Sequence, residues 1–278
     1  MSSIPFESAS PGPALEAFLL GQVDFDVALA LQQRLVEQSR DRDDGQVALL
    51  LCEHPTLITV GRGGSPSEVA MHSNLVRSRQ IEVRWVNRGG GCLMHSPGQL
   101  AIYPIVPLRW HGFSVGEFLH RLQTGIIEAL DDLNVPSQPM GTVPIVASAK
   151  MGLSPSTPPL AKTASVPFPS RQPHPSPVAG VWGRTGQLAA LGVAVRHWTT
   201  YYGAYLNVCP PMGLFRLVKS DPLGQKPMSC LVAERCGPVR MTGVRSALVC
   251  RLAERFGCDR YHLYTGHPML RRAYGKSE

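Results

Sequence analysis

The sequence predicts a globular fold that contains both helices and β-strands. Its 278 residues suffice for one large domain with a sizeable core, and 44% of them are hydrophobic. Segments with helical apolar spacing alternate with short apolar runs that are typical of strands. One proline-rich stretch interrupts this pattern. We therefore expect a single domain made of residues 14–135 and 179–258, with an insertion between the two parts.

Three segments have the apolar spacing of amphipathic helices. The first covers residues 26–40. The second covers residues 114–134 and begins with Ser114, which is a favourable N-cap residue. The third covers residues 241–257 and ends at a glycine, the residue that most often stops a helix.

Apolar runs between these helices predict the strands. Residues 46–52 and 56–60 are expected to pair across a short turn. The runs 81–86 and 100–106 flank a glycine-rich stretch, which we expect to be the loop between two strands. Residues 180–208 alternate between apolar residues and glycine turns, which predicts about three strands in meander order.

Three segments are expected to lie outside the packed core. Residues 1–13 are rich in Ser and Pro and predict a disordered lead-in. Residues 136–178 belong to a stretch with eleven prolines between positions 135 and 178, which predicts a flexible insertion. Residues 259–278 are expected to form a C-terminal tail.

The composition restricts the classes of partner. A net charge of +7 favours an acidic partner, but the basic residues are scattered, which makes nucleic acid the weaker choice. Seven cysteines without C-x-x-C spacing argue against a disulfide framework or a structural zinc site. Residues 1–13 lack a basic region followed by an apolar core, so we expect no secretory leader there, and no run of about 20 apolar residues predicts a membrane helix. We therefore expect a cytoplasmic monomer that binds neither membrane nor metal.

The stretch from Arg88 to Leu100, RGGGCLMHSPGQL, is the most distinctive part of the chain. Three consecutive glycines can adopt positive φ and let a ligand lie close against the main chain. Arg88 and His95 place a fixed cation and a titratable ring on either side of that surface. On these residues alone, a plain hairpin turn and a ligand-binding loop both remain open.

The same stretch resembles the R-G-G-x-x-T-Y-H-G-P-G-Q-L signature of the LipB-type lipoyl/octanoyl transferases. The positions that agree are Arg88, Gly89, Gly90, His95, Pro97, Gly98, Gln99 and Leu100. A second stretch resembles the family's G-V-W…K-I-A-A-I-G-V…W-x-T-x-H-G-x-A-L-N, with Tyr202 in place of its histidine. The agreeing positions there are Gly180, Val181, Trp182, Ala189, Ala190, Gly192, Val193, Val195, Trp198, Thr200, Gly203, Leu206 and Asn207.

The resemblance implies a fold of the biotin/lipoate protein ligase type, α/β or α+β, with a mixed sheet flanked by helices. It also implies the transfer of an octanoyl group, without a cofactor, from acyl carrier protein to a lysine of a lipoyl domain. Three segments are expected to bind the acyl substrate. They consist of Arg88, Gly89, Gly90, Gly91, Cys92, Leu93, Met94 and His95; Ala190, Leu191 and Gly192; and Gly203, Ala204 and Tyr205.

Both catalytic positions of the family are substituted in this chain. The family forms a cysteine thioester, which splits one transfer into two steps, and a lysine lowers the pKa of that thiol. The lysine position is Gln187 here, and the cysteine position is Asp221. A glutamine supplies no charge, and Asp221 is followed by a proline, which is also a common turn pair.

Alternative functions therefore stay open. One is an acyltransferase with a displaced nucleophile, for which Cys92 is the first candidate, followed by Cys230 and Cys209. Another is a catalytically inactive protein that binds an acyl chain or an acylated carrier. Adenylating lipoate ligation is less favoured, because the glycine motif is that of the transferase branch. Tyr205 replaces an alanine of the family and is expected to narrow the acyl tunnel.

Overall fold

Two β-sheets form the centre of the molecule in the computed structural model, which describes residues 12–65, 68, 73–140, 179–215, 218 and 227–270. The strands are β1 (Ala14–Gln22), β2 (Val47–Glu53), β3 (Leu57–Val60), β4 (Glu82–Trp85), β5 (Cys92–His95), β6 (Gln99–Ile105), β7 (Gln138–Met140), β8 (Gly180–Trp182), β9 (Gln187–Arg196), β10 (Thr199–Asn207) and β11 (Arg260–Thr265). The helices are α1 (Phe25–Arg42), α2 (Ser73–Ser78), α3 (Leu108–His111), α4 (Val115–Asp131), α5 (Met212–Phe215), α6 (Leu231–Arg235) and α7 (Met241–Phe256).

The large sheet is mixed, as the resemblance implies. Its strand order is β11-β1-β2-β6-β10-β9-β8-β7. Strand β1 pairs in parallel with both β11 and β2. All later neighbours in this order, from the pair β2–β6 to the pair β8–β7, are antiparallel. Strands β8, β9 and β10 form the predicted meander. The small sheet has the order β4-β3-β5.

The predicted pairing of residues 46–52 with 56–60 is wrong. Strand β2 pairs with β1 and β6 in the large sheet, and β3 pairs with β4 and β5 in the small one. Between the two strands, Nδ1 of the buried His54 side chain donates a hydrogen bond to the carbonyl of Val23 at 2.7 Å. The connection therefore carries the chain from one sheet to the other and does not fold it back.

The three predicted helices are confirmed, and their ends are set by local hydrogen bonds. Asp24 caps α1 by accepting from the amides of Asp26 and Val27. Ser114 caps α4 by accepting from the amide of Glu117 at 3.1 Å. Helix α7 stops at Gly257, which has a φ of 72°. None of the helices in the described part of the chain is long and apolar enough to cross a membrane.

Each face of the large sheet carries its own hydrophobic layer. Helices α4 and α7 cover one face, where their apolar residues pack against alternate residues of the strands, such as Leu100, Ala204 and Leu206. Helix α1 and the small sheet cover the other face, which includes Tyr103 and Tyr205. The space between the two sheets is therefore lined by alternate residues from both.

Two of the predicted domain boundaries differ from the structure. Residues 138–140 form β7 at the edge of the large sheet, so the insertion predicted from residue 136 begins too early. A proline at position 139 is tolerated there because an edge strand needs fewer amide donors. Residues 260–265, predicted as part of a tail, pair with β1 as β11. The rest of the predicted insertion, and most of the predicted lead-in, lie outside the described residues.

The contact between α4 and α7 leads to a stability prediction. Phe118 and Phe256 are fully buried and stack with ring centroids 5.6 Å apart. We expect Phe118→Ala to lower the free energy of unfolding by about 3 to 5 kcal/mol, because it leaves a cavity in the core. Urea unfolding measures this change. The control Val115→Ala lies on the exposed side of α4 and should lower the free energy of unfolding by about 0.5 kcal/mol or less. Equal losses for both variants would contradict the placement of Phe118 in the core.

Candidate functional site

The glycine-rich stretch is shorter as a loop than predicted. Residues 92–95 form β5, which pairs with β3, so the predicted loop is divided into residues 88–91 and a short turn at residues 96–98. The turn 61–63 donates three amide hydrogen bonds of 3.0 to 3.1 Å to carbonyls of this loop. On the other side, the amide of Gly89 donates to the carbonyl of Val193 at 3.0 Å. The loop is therefore fixed between the small sheet and β9.

Close approach of main chains explains several of the glycines. A Cβ atom at Gly192 would lie 2.5 Å from the carbonyl oxygen of Gly89. At Gly61 it would lie 2.4 Å from the carbonyl oxygen of Gly90. Gly90 itself has a φ of 80°, in the left-handed region that favours glycine. The packing of the loop alone thus requires glycine at these positions, independently of any ligand.

Arg88 is a fully buried cation at the start of this loop. Its Nη2 donates to the hydroxyl and the carbonyl of Thr59 at 2.7 and 2.9 Å, and its Nη1 donates to the carbonyl of Gly89 at 2.9 Å. No carboxylate contacts it within the described residues. Burial lowers the pKa of Arg88, but a guanidinium keeps its charge in proteins. Neutral dipoles alone therefore solvate this charge in the described structure.

A chain of polar side chains begins at Arg88 and crosses between the sheets. Gln99 donates its amide hydrogens to the carbonyl of Met94 and to Oδ1 of Asn207, so its Oε1 accepts from Nδ1 of His95 at 2.9 Å. Nε2 of His95 then accepts from the Thr59 hydroxyl at 2.8 Å. Burial, then the charges of His54 and Arg88, hold the pKa of His95 well below its usual range. The ring is therefore neutral.

The same polar chain reaches the position of the family's lysine. Asn207 donates to the carbonyl of Ser229 at 3.0 Å, and the amide of Ser229 donates to the carbonyl of Gln187 at 2.9 Å. The side chain of Gln187 is buried and donates to the carbonyl of Ala189 at 3.2 Å. It offers no charge to a neighbouring group. Asp221, at the position of the family's cysteine, lies outside the described residues.

A buried carboxylate fixes the turn that precedes Gln187. Glu234 accepts from the amides of Arg184 and Thr185 at 2.7 and 2.9 Å and from the Thr185 hydroxyl. Burial alone would raise the pKa of Glu234, but these hydrogen bonds lower it to about 2. The Thr185 hydroxyl also contacts that of Ser229 at 2.6 Å. The turn between β8 and β9 is therefore held independently of the residue at position 187.

Tyr205 lies at the centre of the space between the sheets. Its ring centroid is 4.6 Å from that of His95 and 5.8 Å from that of Tyr103, and the guanidinium carbon of Arg88 is 5.9 Å from it. Tyr205 is 1% exposed, and its hydroxyl lies next to that of Tyr103. Position 202, where the family has histidine, is also a buried tyrosine.

Strand alternation divides the predicted substrate segments between two faces. Side chains that face the space between the sheets are Arg88, Leu93, His95, Ala190 and Tyr205. Side chains that pack elsewhere are Cys92 and Met94, against Ile58 and Val60, and Leu191 and Ala204, against the layer of α4 and α7. Because successive residues of a strand point to opposite faces, only part of each predicted substrate segment directs side chains into the space between the sheets.

This alternation argues against Cys92 as the displaced nucleophile. Its thiol lies on the face of β5 opposite to His95, and its amide donates to the carboxylate of Glu68 at 3.3 Å. Burial and the neighbouring Glu68 raise the pKa of Cys92 to about 12. Cys209 is exposed, but burial of its thiol and the charge of Glu53 raise its pKa as well. Cys230 is buried at the start of α6.

Several residues of the polar chain were not predicted from the sequence. Asn207 lies in the matched A-L-N motif, but neither that motif nor the sequence around Thr59 reveals that these two residues join Arg88 to Ser229. Glu234 was also missed. Its signal is a charged residue three positions after Leu231, on the buried face of a short helix.

Residues 24–252 match the protein family described as the lipoyl protein ligase A/B catalytic domain. The chain belongs to this family. It is 30% identical over 232 residues to the octanoyltransferase of Geotalea uraniireducens, which covers 84% of this chain and 88% of that protein. It is 31% identical over 239 residues to the octanoyltransferase of Pelobacter propionicus, with coverage of 85% and 91%. The predicted family is thus confirmed.

Solved structures confirm the predicted fold. Lipoate-protein ligase A bound with ATP has a TM-score of 0.61 at 14% identity, covering 96% of this chain and 95% of that one. A bi-partite lipoate protein ligase from Thermoplasma acidophilum has a TM-score of 0.60 at 13% identity, covering 96% and 93%. At these identities the likeness extends to the fold alone.

The hydroxyl of Thr59 is expected to be important for stability because it joins Arg88 to His95. Thr59→Val should lower the free energy of unfolding by about 1 to 3 kcal/mol, since buried donors lose their acceptor. Thr59→Ser keeps the hydroxyl and is the matched control, with an expected loss below about 1 kcal/mol. Urea unfolding of both variants measures the difference. Equal losses would show that the methyl group, and not the hydroxyl, is the important part.

The buried histidines predict a loss of stability in mild acid. Burial lowers the pKa of His54 and of His95 in the folded protein, whereas both protonate near pH 6.5 in the unfolded chain. The unfolded state therefore binds more protons below about pH 6.5, so the free energy of unfolding should fall between about pH 7.5 and 5.5. Glu234 protonates at lower pH and does not contribute in this window. The fall should be smaller in His95→Gln, and an unchanged fall in that variant would exclude His95 as a cause.

Proposed function

We propose that this protein acts in protein lipoylation as an acyltransferase of the octanoyltransferase class. In this function it binds an acyl group delivered as a thioester by acyl carrier protein and presents it to a lysine of a lipoyl domain. The relatives of the chain are named octanoyltransferases and align over most of its length. The basic net charge is compatible with an acidic carrier protein.

The observation that carries this proposal is the polar chain beneath the glycine loop. Arg88, Thr59, His95, Gln99 and Asn207 connect the loop to the position next to the family's lysine. The residues of the matched signature are therefore joined in one buried network and are not scattered over the surface. Such a network orients the loop rigidly, as a binding site requires.

The acyl-transfer step itself is expected to be slow in the natural sequence. Formation of an acyl-cysteine thioester on the protein needs a thiolate nucleophile, and a nearby positive charge favours the thiolate over the thiol. Gln187 supplies no charge, position 221 carries no thiol, and Cys92 points away from His95. We infer that the protein binds the acylated carrier well but transfers the acyl group slowly. A binding protein without turnover is the second candidate, and Gln187 is the observation that favours it.

Intact-mass spectrometry with octanoyl-acyl carrier protein and a lipoyl domain tests this function. We expect a low rate of octanoyl transfer to the lipoyl domain by the natural sequence. The double change Gln187→Lys with Asp221→Cys should raise that rate by at least about tenfold, because it restores both the thiol and the charge. Each single change should raise it less.

Controls separate binding from chemistry. Gly90→Val should abolish binding of octanoyl-acyl carrier protein, because a β-branched residue is strained at the positive φ that this loop requires. A hydroxylamine-sensitive adduct on any of the seven cysteines would point to a displaced nucleophile, and its loss in a variant with every cysteine changed to serine would confirm that. If neither the natural sequence nor the double variant binds octanoyl-acyl carrier protein, the proposed function is wrong.

A further inference from the structure

Strand β11 forms an edge of the large sheet that is open in the described part of the chain. It pairs with β1 on one side, and no described strand pairs with its other side. All six of its residues are exposed, and three of them are large and hydrophobic, namely Tyr261, Leu263 and Tyr264. The described chain after β11 leaves this edge, because His267 and Met269 pack on the face that α1 covers. The edge is therefore apolar and available for pairing.

The other edge strands of the two sheets are protected against such pairing. Strand β7 has only three residues and contains a proline, which donates no amide hydrogen. Strand β4 carries Glu82 and Arg84, and Arg84 pairs with Asp26 of α1. Strand β5 is buried. Strand β11 contains no proline, and its one charged residue is Arg260 at its first position, so it lacks the features that keep edge strands apart.

The main-chain groups on the open side of β11 belong to alternate residues. The amide of Gly266 donates to the carbonyl of Leu19 in β1 at 2.8 Å. Since successive residues of a strand direct their amides and carbonyls to opposite edges, those of Tyr261, Leu263 and Thr265 point away from β1. Three amides and three carbonyls thus face outward along one strand.

We propose that β11 pairs in antiparallel fashion with β11 of a second copy of this chain, about a two-fold axis at Leu263. In this register Leu263 lies opposite the same residue of the second copy. Tyr261 lies opposite Thr265, and His262 lies opposite Tyr264. Each outward amide then donates to an outward carbonyl of the other copy. Opposite residues share a face of the sheet, so the exposed apolar side chains pack together across the two strands.

Charge and area both suit a second copy as the partner. The two-fold axis places the two Arg260 residues about 20 Å apart, beyond the Debye length of about 8 Å. Tyr261, Leu263 and Tyr264 are 47%, 53% and 42% exposed, so covering them in both copies removes roughly 600 Å². With the main chains of both strands, the buried area approaches the roughly 1,000 Å² of a specific interface. We therefore expect a weak dimer, which differs from the monomer expected from the sequence.

The proposed interface lies away from the candidate site. Strands β1 and β2 separate β11 from β6 and β10, which carry Tyr103 and Tyr205. Pairing through β11 therefore leaves the glycine loop accessible in both copies. The inference does not rest on the proposed function.

Sedimentation velocity of the full chain tests the dimer. From about 1 to 300 µM, the mass of the natural sequence should rise from 30.2 kDa toward twice that value. Leu263→Lys places two like charges opposite each other and should weaken the dimer at least about tenfold. The control Trp85→Lys adds the same charge to an exposed residue of another edge strand, β4, and should leave dimerisation unchanged.

Cysteine cross-linking tests the register. In Leu263→Cys the two new thiols lie on Cα atoms about 5.5 Å apart, which suits a disulfide, so mild oxidation should give a covalent dimer. The matched control is Thr265→Cys, which lies on the same face of β11. Its two copies would be about 14 Å apart along the strands, so they should not cross-link. The natural sequence, with its seven cysteines, gives the background.

Three results would overturn the proposal. A single-chain mass for the natural sequence over the whole concentration range would favour a different partner for the edge. Dimerisation of Leu263→Lys equal to that of the natural sequence would exclude β11 as the interface. Equal cross-linking of Leu263→Cys and Thr265→Cys would exclude the two-fold pairing at Leu263. If Leu263→Lys is unfolded by circular dichroism, the cross-linking comparison decides.

Discussion

The burial of one positive charge, that of Arg88, determines how the centre of this protein is organised. A guanidinium without a carboxylate beside it is stable in a low-dielectric interior only if neutral acceptors surround it. Thr59 supplies two of those acceptors, and its hydroxyl is in turn oriented by His95. In each further residue of this polar chain, the hydrogen bond to the preceding residue fixes which atoms donate and which accept. The tautomer of His95 and the orientation of the Gln99 amide are therefore consequences of this charge.

The small sheet holds the residues of this polar chain in place. Strands β3 and β5 present Thr59 and His95 to the large sheet, while their alternate residues, Val60 and Cys92, form a separate apolar layer behind. The polar chain is thus supported by a packed layer on one side and by the residues of β6 and β10 on the other. The side chains packed between the two sheets therefore have little freedom to change position.

Local signals in the sequence were sufficient for the helices and for the motif residues. A capping serine and a terminal glycine fix the ends of helices through contacts within a few residues, which a single sequence reveals. The partner of a strand and the face of a side chain depend on distant residues. The pairing of β2 was therefore predicted wrongly, and the face to which Cys92 points could not be predicted, since each is decided by contacts between distant strands. The polar chain could not be predicted, because its members are separated by up to 108 residues.

The pairing of β7 with β8 has a consequence for how this protein tolerates change in length. Met140 and Gly180 lie opposite each other in adjacent antiparallel strands, so the chain leaves the sheet and returns to it at neighbouring points. Helix α4 and strand β8 are joined through this edge by the side chain of Gln123, which donates to the carbonyl of Gly180 at 2.7 Å. The ends of the intervening segment are therefore already brought together by the domain itself. Shortening, extending or replacing that segment by another folded module imposes no strain on the sheet, which makes this edge a natural point for grafting.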